Sequence, residues 1–590
     1  MKINSTKILR GANYWSIQVP LLLQVGITIH SSINVDSVIG KVKEHFPEIL
    51  IDPKQEKNLQ LAQLVAQTAV QLQLKAGVQV AFYLAQKTVR LHDYIVVFEY
   101  KTEAVAELVI EKTVAFIFSL INNKPVDVEA IIATIQKAYN HSLAPAPLLS
   151  LLEQAKTARV PVILSKNALP CQFGYGKFGI PYSTENQEII NELFQSATKG
   201  RIPIIAVTGS NGKTTTTRLI AFVLGQMGHS VGFTTSDGIY VKNKMIDSGD
   251  TTGPASAAMV LRHPEVDIAV LETARGGIVR AGIGFDQCDI AVITNIQEDH
   301  LGISDIETIE DLAKVKAVIV GAVGPDGRAV LNANNPHTTA IGQKAASKVA
   351  WFSVNKDTPF FRNLLTDRSS HLAFIENHHI VIQKEGKKEV VCDVNDIPIT
   401  YNGTAHFMVE NVLAATLALS VYGIAPNEMA KPFKQFIPSV EQTPGRMNLF
   451  DIHDKKLLVD FAHNPDGFAG IRDFLANIKS PQKIGIIVGT GDRKDSDTIA
   501  LGQIAAQMFD VVLIHQVKFL RGQSAERIVE LLVQGITTEN PNATWERIPD
   551  EEEPLQYALA MAKPHAYITA LSDVIDHPAQ WVAQYVQSAN

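Results

Sequence analysis

Ile202-Pro203-Ile204-Ile205-Ala206-Val207-Thr208-Gly209-Ser210-Asn211-Gly212-Lys213-Thr214-Thr215-Thr216 joins an apolar run to a glycine-rich turn and then to a threonine cluster. Residues 202–207 are mostly apolar and read as a strand buried on both faces. Beyond the turn, Leu219, Ile220, Val223 and Leu224 recur with helical spacing. A glycine-rich turn between strand and helix presents backbone N–H groups and the positive helix end to an anion. Gly209, Ser210, Asn211, Gly212, Lys213, Thr214 and Thr215 are therefore candidate nucleotide-binding residues. Lys213 is placed to reach the outer phosphates, and the Thr214 hydroxyl to hold Mg²⁺. The usual P-loop pattern has glycine where this chain has Val207, so the match is to a shorter variant, Gly-x-x-Gly-Lys-Thr. A bare glycine turn with an incidental lysine does not account for the flanking strand and helix.

A chain of 590 residues exceeds a single core and suggests about three or four domains. Hydrophobic residues make up 46% and charged residues 19%, a globular composition. The net charge of −7 is mild for this length and disfavours nucleic acid as a partner. Cys171, Cys288 and Cys392 are odd in number and far apart. That pattern fits a reducing cytoplasm and neither a disulfide framework nor a zinc cluster. Residues 19–29 contain Pro20 and Gln24 and precede no small-residue cleavage site, so they read as a core strand rather than a signal peptide. Residues 104–120 carry Glu107, Glu111 and Lys112 and read as an amphipathic helix, not a membrane span. A soluble cytoplasmic protein is expected, with no membrane partner.

Residues 1–144 read as a small α+β domain, structural or substrate-docking. Strand-like runs fall at 7–10, 21–29 and 94–100, and helical periodicity at 61–75 and 104–121. Leu143-Ala144-Pro145-Ala146-Pro147 reads as a linker. A helix over 148–158 and a short strand over 160–164 follow it. Residues 173–179, although rich in glycine, lack the flanking strand and helix of a phosphate loop and read as a plain loop.

From residue 201 apolar strands alternate with helices, at 202–207, 231–234, 267–271, 289–294 and 328–331. Such alternation predicts a doubly wound parallel sheet, with ligands beyond the carboxyl ends of the strands. Glu272 and His300 fall at two such ends, beside the phosphate loop. With Thr214 they form the candidate metal set, oxygens suiting Mg²⁺ and an imidazole completing a second site. Asp250-Thr251-Thr252-Gly253-Pro254 is a further polar loop, equally well a turn. Residues 351–400 alternate as hairpins, and 403–423 read as a polar start and an Ala/Leu-rich helix. A second alternating region follows Pro444-Gly445-Arg446, with strands at 456–461, 483–488, 510–514 and 566–570.

Taken in order, Thr208-Gly209-Ser210-Asn211-Gly212-Lys213-Thr214, the Glu272 loop, Thr294-Asn295, Asp299-His300, Asn411, Pro444-Gly445-Arg446 and Asp460-Phe461-Ala462-His463-Asn464-Pro465 resemble the Mur ligase superfamily. Within it, Leu9-Arg10-Gly11-Ala12-Asn13-Tyr14-Trp15-Ser16, Glu272-Thr273-Ala274-Arg275-Gly276-Gly277 and Gly491-Asp492-Arg493-Lys494-Asp495 resemble the cyanophycin synthetase family. The resemblance implies an α/β fold in four parts. Residues 1–144 are the N-terminal domain, and 145–200 stand where full-length members carry an ATP-grasp domain of several hundred residues. Residues 201–437 are the Mur ligase-like central ATPase, and 438–590 a Rossmann-like lid. The truncated ATP-grasp remnant makes the layout similar to the short, type 2 form, which polymerises preformed β-aspartyl-arginine dipeptide.

The resemblance further implies ATP and Mg²⁺ as cofactors, a homodimer, and the dipeptide and cyanophycin chain as partners. It assigns catalysis to Lys213, Glu272, His300 and a lysine that is carbamoylated in many Mur ligases. Lys316 best fits that position, with Lys314 the alternative. Asn295, Asn411, Arg446 and Asp460 join the nucleotide set. The superfamily pattern Asn-Ala-Asp-Asp-Pro is Asn332-Ala333-Asn334-Asn335-Pro336 here, two acids having become amides. Asp492 and Asp495 are candidates to receive the dipeptide's guanidinium. The competing readings are a Mur or folylpolyglutamate-type amino-acid ligase and a decayed nucleotide-binding scaffold.

Overall fold

The structure, a computed structural model, describes residues 1–572 apart from 20, 31–32, 165–169, 300, 303–305, 490, 492, 517–521 and 551. His300 and Asp492, both candidates above, lie outside the described residues. The chain divides into two compact units. One comprises Met1–Ile204, Thr252–Ala269 and Thr273–Cys288; the other comprises Ile205–Thr251, Val270–Glu272 and the chain from Asp289 onward.

The first unit begins with an antiparallel four-stranded sheet, in spatial order Lys2–Arg10, Leu21–Thr28, Asp93–Glu99 and Tyr83–Lys87. Period-two alternation sorts the side chains of its central strands. Leu23, Val25, Ile27, Val96 and Phe98 enter the main core under the helices Val35–His45, Lys57–Lys75, Glu103–Ile121 and Val128–Ser142. Leu22, Ile95 and Val97 face a smaller cluster closed by Trp15, Val19 and Phe82. Strands fall on the apolar runs read at 7–10, 21–29 and 94–100, and helices on 61–75 and 104–121, whereas helices Val35–His45 and Val128–Ser142 were not anticipated. The edge strand Tyr83–Lys87 was not anticipated, because its mostly exposed side chains carry no buried stripe. After it, helices Ala146–Ala158 and Gln187–Gln195 pack on three two-residue strands around Phe173, Ile190 and Phe194.

The second unit is built on two sheets. Among the described residues the larger has eleven strands, running from Lys244–Ser248 through Gly238–Val241, Val231–Thr234, Ile268–Glu272, Ile204–Thr208, Cys288–Ile293, Val323–Asn332, Lys348–Ser353, Leu372–Glu376 and His379–Lys384 to Lys387–Asp393. The Ile204–Thr208 and Cys288–Ile293 strands are parallel, whereas the last three strands form antiparallel hairpins. Helices Lys213–Gln226 and His406–Tyr422 pack together beside this sheet, the latter almost wholly buried up to Ser420. The smaller sheet orders Asn448–Ile452, Lys455–Asp460, Tyr567–Leu571, Lys483–Ile487, Val511–Ile514 and Thr544–Arg547, parallel except for its first pair. This is the α/β architecture the alternation predicts. No helix among the described residues is long and apolar enough to cross a membrane. Cys171, Cys288 and Cys392 are buried as thiols, and burial pushes Cys171 and Cys392 up to about 12.

Candidate active site

The strand Ile204–Thr208 is buried along its whole length, and helix Lys213–Gln226 starts five residues after it ends. Gly212 precedes that helix at φ 83°, a left-handed conformation that side-chain-bearing residues resist. A Cβ there would also stand 1.9 Å from Asn411 Oδ1, so glycine lets the loop close against Asn411. The first N–H groups of the helix find no acceptor inside it, which leaves donors for an anion.

Bonds from neighbouring strand ends hold the loop in shape. Ser210 N donates to Asn295 O at 3.0 Å, and Asn211 N to Asn295 Oδ1 at 2.9 Å. Thr294 Oγ1 donates to Asn211 O at 2.6 Å. Ser210 Oγ donates to Gln297 O at 2.9 Å, and Gln297 N donates back to Ser210 Oγ at 3.0 Å. Lys316, 3% exposed, donates its Nζ proton to Gly209 O at 2.6 Å. Lys314 is at the surface with Asp311, so of the two candidate lysines the structure brings only Lys316 to the loop. Lys213 Nζ rests on Ser210 O at 2.9 Å.

On the other side of the loop, Thr214 Oγ1 donates to Glu272 Oε2 at 2.9 Å and lies 3.2 Å from Ser236 Oγ. Arg446 Nη2 donates to Ser236 Oγ at 3.3 Å, so a polar chain runs from Arg446 through Ser236 and Thr214 to Glu272. Burial raises the Glu272 pKa, while Lys213, the Thr214 hydrogen bond and Arg446 oppose that rise. Burial lowers the Arg446 pKa against the pull of Asp460, Glu272 and Asp237. The guanidinium also lies 3.9 Å from the centre of the Phe461 ring. Asp460 is held by two backbone donors, Met447 N at 2.9 Å and Ala462 N at 2.8 Å. Hard oxygens from Thr214, Ser236 and Glu272 suit Mg²⁺ in chemistry.

Several supporting residues escaped the sequence reading. Arg218, 5% exposed, pairs with Asp237, donates to Tyr240 Oη at 2.7 Å and reaches Gln442 O at 3.4 Å. Gln442 lies four residues before Arg446, so this buried pair secures the approach to it. Ser236, Gln297 and Arg218 belong to no motif, and spacing offers no signal for them. The amides at 332–335 have jobs a carboxylate cannot do. Asn332 Nδ2 donates to Thr294 O at 2.9 Å, and Asn335 Nδ2 donates to Ile296 O at 2.8 Å while its oxygen caps helix Pro336–Lys344. Glu410, beside Asn411, is pushed up to about 7 by burial, against a hydrogen bond from Asn332. Asp495 is already engaged by Arg527 at 2.7 Å and Gln523 at 2.9 Å. Burial together with Asp299 and Glu298 raises Asp466.

A glycine-rich loop braced by neighbouring strand ends carries a buried glutamate on its threonine and meets an arginine from a second α/β domain, the arrangement of a P-loop domain joined to a second α/β domain. Residues 207–419 match the Mur ligase middle domain and 445–573 match the Mur ligase, glutamate ligase domain. The two spans together exceed half of the chain, which belongs to the Mur ligase family. It is 47% identical over 371 residues to the cyanophycin synthetase of Synechocystis sp., covering 63% of this chain and 42% of that protein. It is 42% identical over 397 residues to the cyanophycin synthetase of Geminocystis herdmanii, covering 67% and 45%. The chain thus spans less than half the length of these curated relatives. E. coli FolC in complex with DHPP and ADP shares the fold, at TM-score 0.50 and 18% identity over 65% of this chain and 89% of FolC.

Proposed function

We propose that this chain is an ATP-dependent amide ligase that extends cyanophycin with β-aspartyl-arginine dipeptides through an acyl phosphate. The observation that carries the reading is the buried Thr214–Glu272 contact at 2.9 Å beside the phosphate loop. The similarity to cyanophycin synthetases supports the substrate class. Residues 145–200 support use of the preformed dipeptide. Among the described residues this segment holds two α-helices, one short 3-10 helix and three two-residue strands, little beside the several hundred residues of an ATP-grasp domain.

In this reading a carboxylate oxygen at the polymer's C-terminus attacks the γ-phosphorus of ATP, and ADP leaves. The neutral α-amine of the dipeptide then attacks the acyl carbon and loses a proton, and inorganic phosphate departs. Lys213 and the first N–H groups of its helix neutralise the phosphates, so that one anion can approach another. Thr214 and Glu272 would hold Mg²⁺, which would supply further charge neutralisation, with His300 and a carbamoylated Lys316 as the further candidates on the metal side. Asn295 and Asn411 shape the loop. Arg446 and Asp460 bring the 445–573 domain against the nucleotide and exclude water. The same reading carries a cytoplasmic homodimer, which light scattering tests.

The deciding experiment supplies Mg-ATP with β-aspartyl-arginine in one reaction and with free aspartate plus arginine in another. Phosphate release and polymer from the dipeptide alone support the reading. Comparable polymer from the free amino acids overturns it.

A further inference from the structure

The phosphate loop is bonded directly to the 445–573 domain through two asparagines 253 positions apart. Asn464 caps helix Pro465–Leu475, its Oδ1 accepting from Gly467 N at 2.8 Å. That bond fixes the orientation of the amide, because its oxygen must face the N–H. The Asn464 nitrogen is thereby turned to Asn211 Oδ1, to which it donates at 3.1 Å. Asn211 Nδ2 returns a bond to Asn464 Oδ1 at 3.3 Å and also donates to Gln297 Oε1 at 3.1 Å.

The backbone of Asn211 is committed as well, its N–H to Asn295 Oδ1 at 2.9 Å and its carbonyl to Thr294 Oγ1 at 2.6 Å. Main chain and side chain of Asn211 are thus both engaged by protein partners. The residue is a post braced by the loop that follows strand Cys288–Ile293, on which the helix cap of the other domain is seated.

We propose that Asn211 and Asn464 form a clasp that registers the C-terminal domain on the phosphate loop. Both are positioning residues: they set closure and leave nucleotide affinity to the helix donors and Lys213. The clasp rests on the nucleotide reading of the loop only for its kinetic consequence, since closure is measurable without nucleotide.

Asn464→Ser separates the two roles of Asn464. Serine caps a helix about as well as asparagine, so the helix stays capped, but its side chain is too short to reach Asn211. Lys244→Cys and Asn540→Cys are exposed sites in the second unit for a pair of spin labels, and the native cysteines are buried. Pulsed-EPR distances in the nucleotide-free protein should broaden and lengthen in Asn464→Ser. A distribution superimposable on that of the parent overturns the clasp, whatever the substrate proves to be. In ligation assays kcat should fall about tenfold or more, the usual scale for a loss of registration, while the Kd for a fluorescent ATP analogue changes less than about threefold. In an Asn211→Ala/Asn464→Ser cycle the double variant should lose no more than the worse single one. Additive losses would mean that each residue serves only its own element, and would overturn the proposal.

Discussion

Thr214 Oγ1 and Glu272 Oε2 meet at 2.9 Å in the buried floor of the phosphate loop, bringing together residues 58 positions apart. With its proton given to Glu272, the threonine accepts from Ser236 Oγ at 3.2 Å, and Ser236 in turn accepts from Arg446 at 3.3 Å. One end of this chain is the buried Glu272 carboxylate and the other a guanidinium from the second α/β domain. The Glu272 carboxylate and the Arg446 guanidinium are therefore linked by three hydrogen bonds.

Glu272→Gln keeps the shape of the side chain and removes its charge. ATP-dependent ligation should fall by about 10²–10³, the scale for losing one preorganised charge contact, and the Mg²⁺ concentration for half-maximal rate should rise. Lys213→Ala should lose rate to a similar degree while the protein stays folded by circular dichroism. Near-normal turnover in both variants refutes the nucleotide site.

Arg446→Ala should slow ligation more than it weakens ATP binding, since the guanidinium acts through closure. Equilibrium binding of a fluorescent ATP analogue beside steady-state kinetics separates the two effects. A truncation after residue 437 that kept full activity would contradict this role.

Asp237→Asn strands the Arg218 guanidinium in a site where the two side chains are only 5% and 9% exposed. Breaking one half of a buried pair costs about 3–5 kcal/mol, so the melting temperature should drop by several degrees. Arg218 also reaches the Gln442 carbonyl at 3.4 Å, so ligation should slow even at temperatures where the variant is folded. Unchanged melting by scanning fluorimetry would show that the pair is not holding the fold.

Glu410 gives a pH signature. Its pKa rises from an ordinary 4.5 to about 7 on folding because burial disfavours the carboxylate. The folded state therefore holds a proton that the unfolded chain has released, and stability falls as pH rises between these two values. Below the lower value both states are protonated, and above the higher value the loss is complete. Glu410→Gln should raise the melting temperature more at pH 8 than at pH 4. An equal shift at both would show that the carboxyl does not titrate in this window.

The strand–turn–helix around Lys213 was legible from residues 202–216, because buried strands, glycine turns and helical spacing are local properties. Glu272 was legible by its place at the end of an apolar run. In the first unit the apolar runs at 21–29 and 94–100 read as strands, whereas the polar edge strand Tyr83–Lys87 left no such trace. What chain order could not supply was the pairing of one loop with another. Asn211 with Asn464, Arg218 with Asp237 and Gln442, and Lys316 with Gly209 all depend on hydrogen-bond distances between segments far apart in the chain. The order of strands in the sheets brings those segments together. A hydrogen bond loses its strength within a fraction of an ångström, so its partners are chosen by packing and not by spacing along the chain.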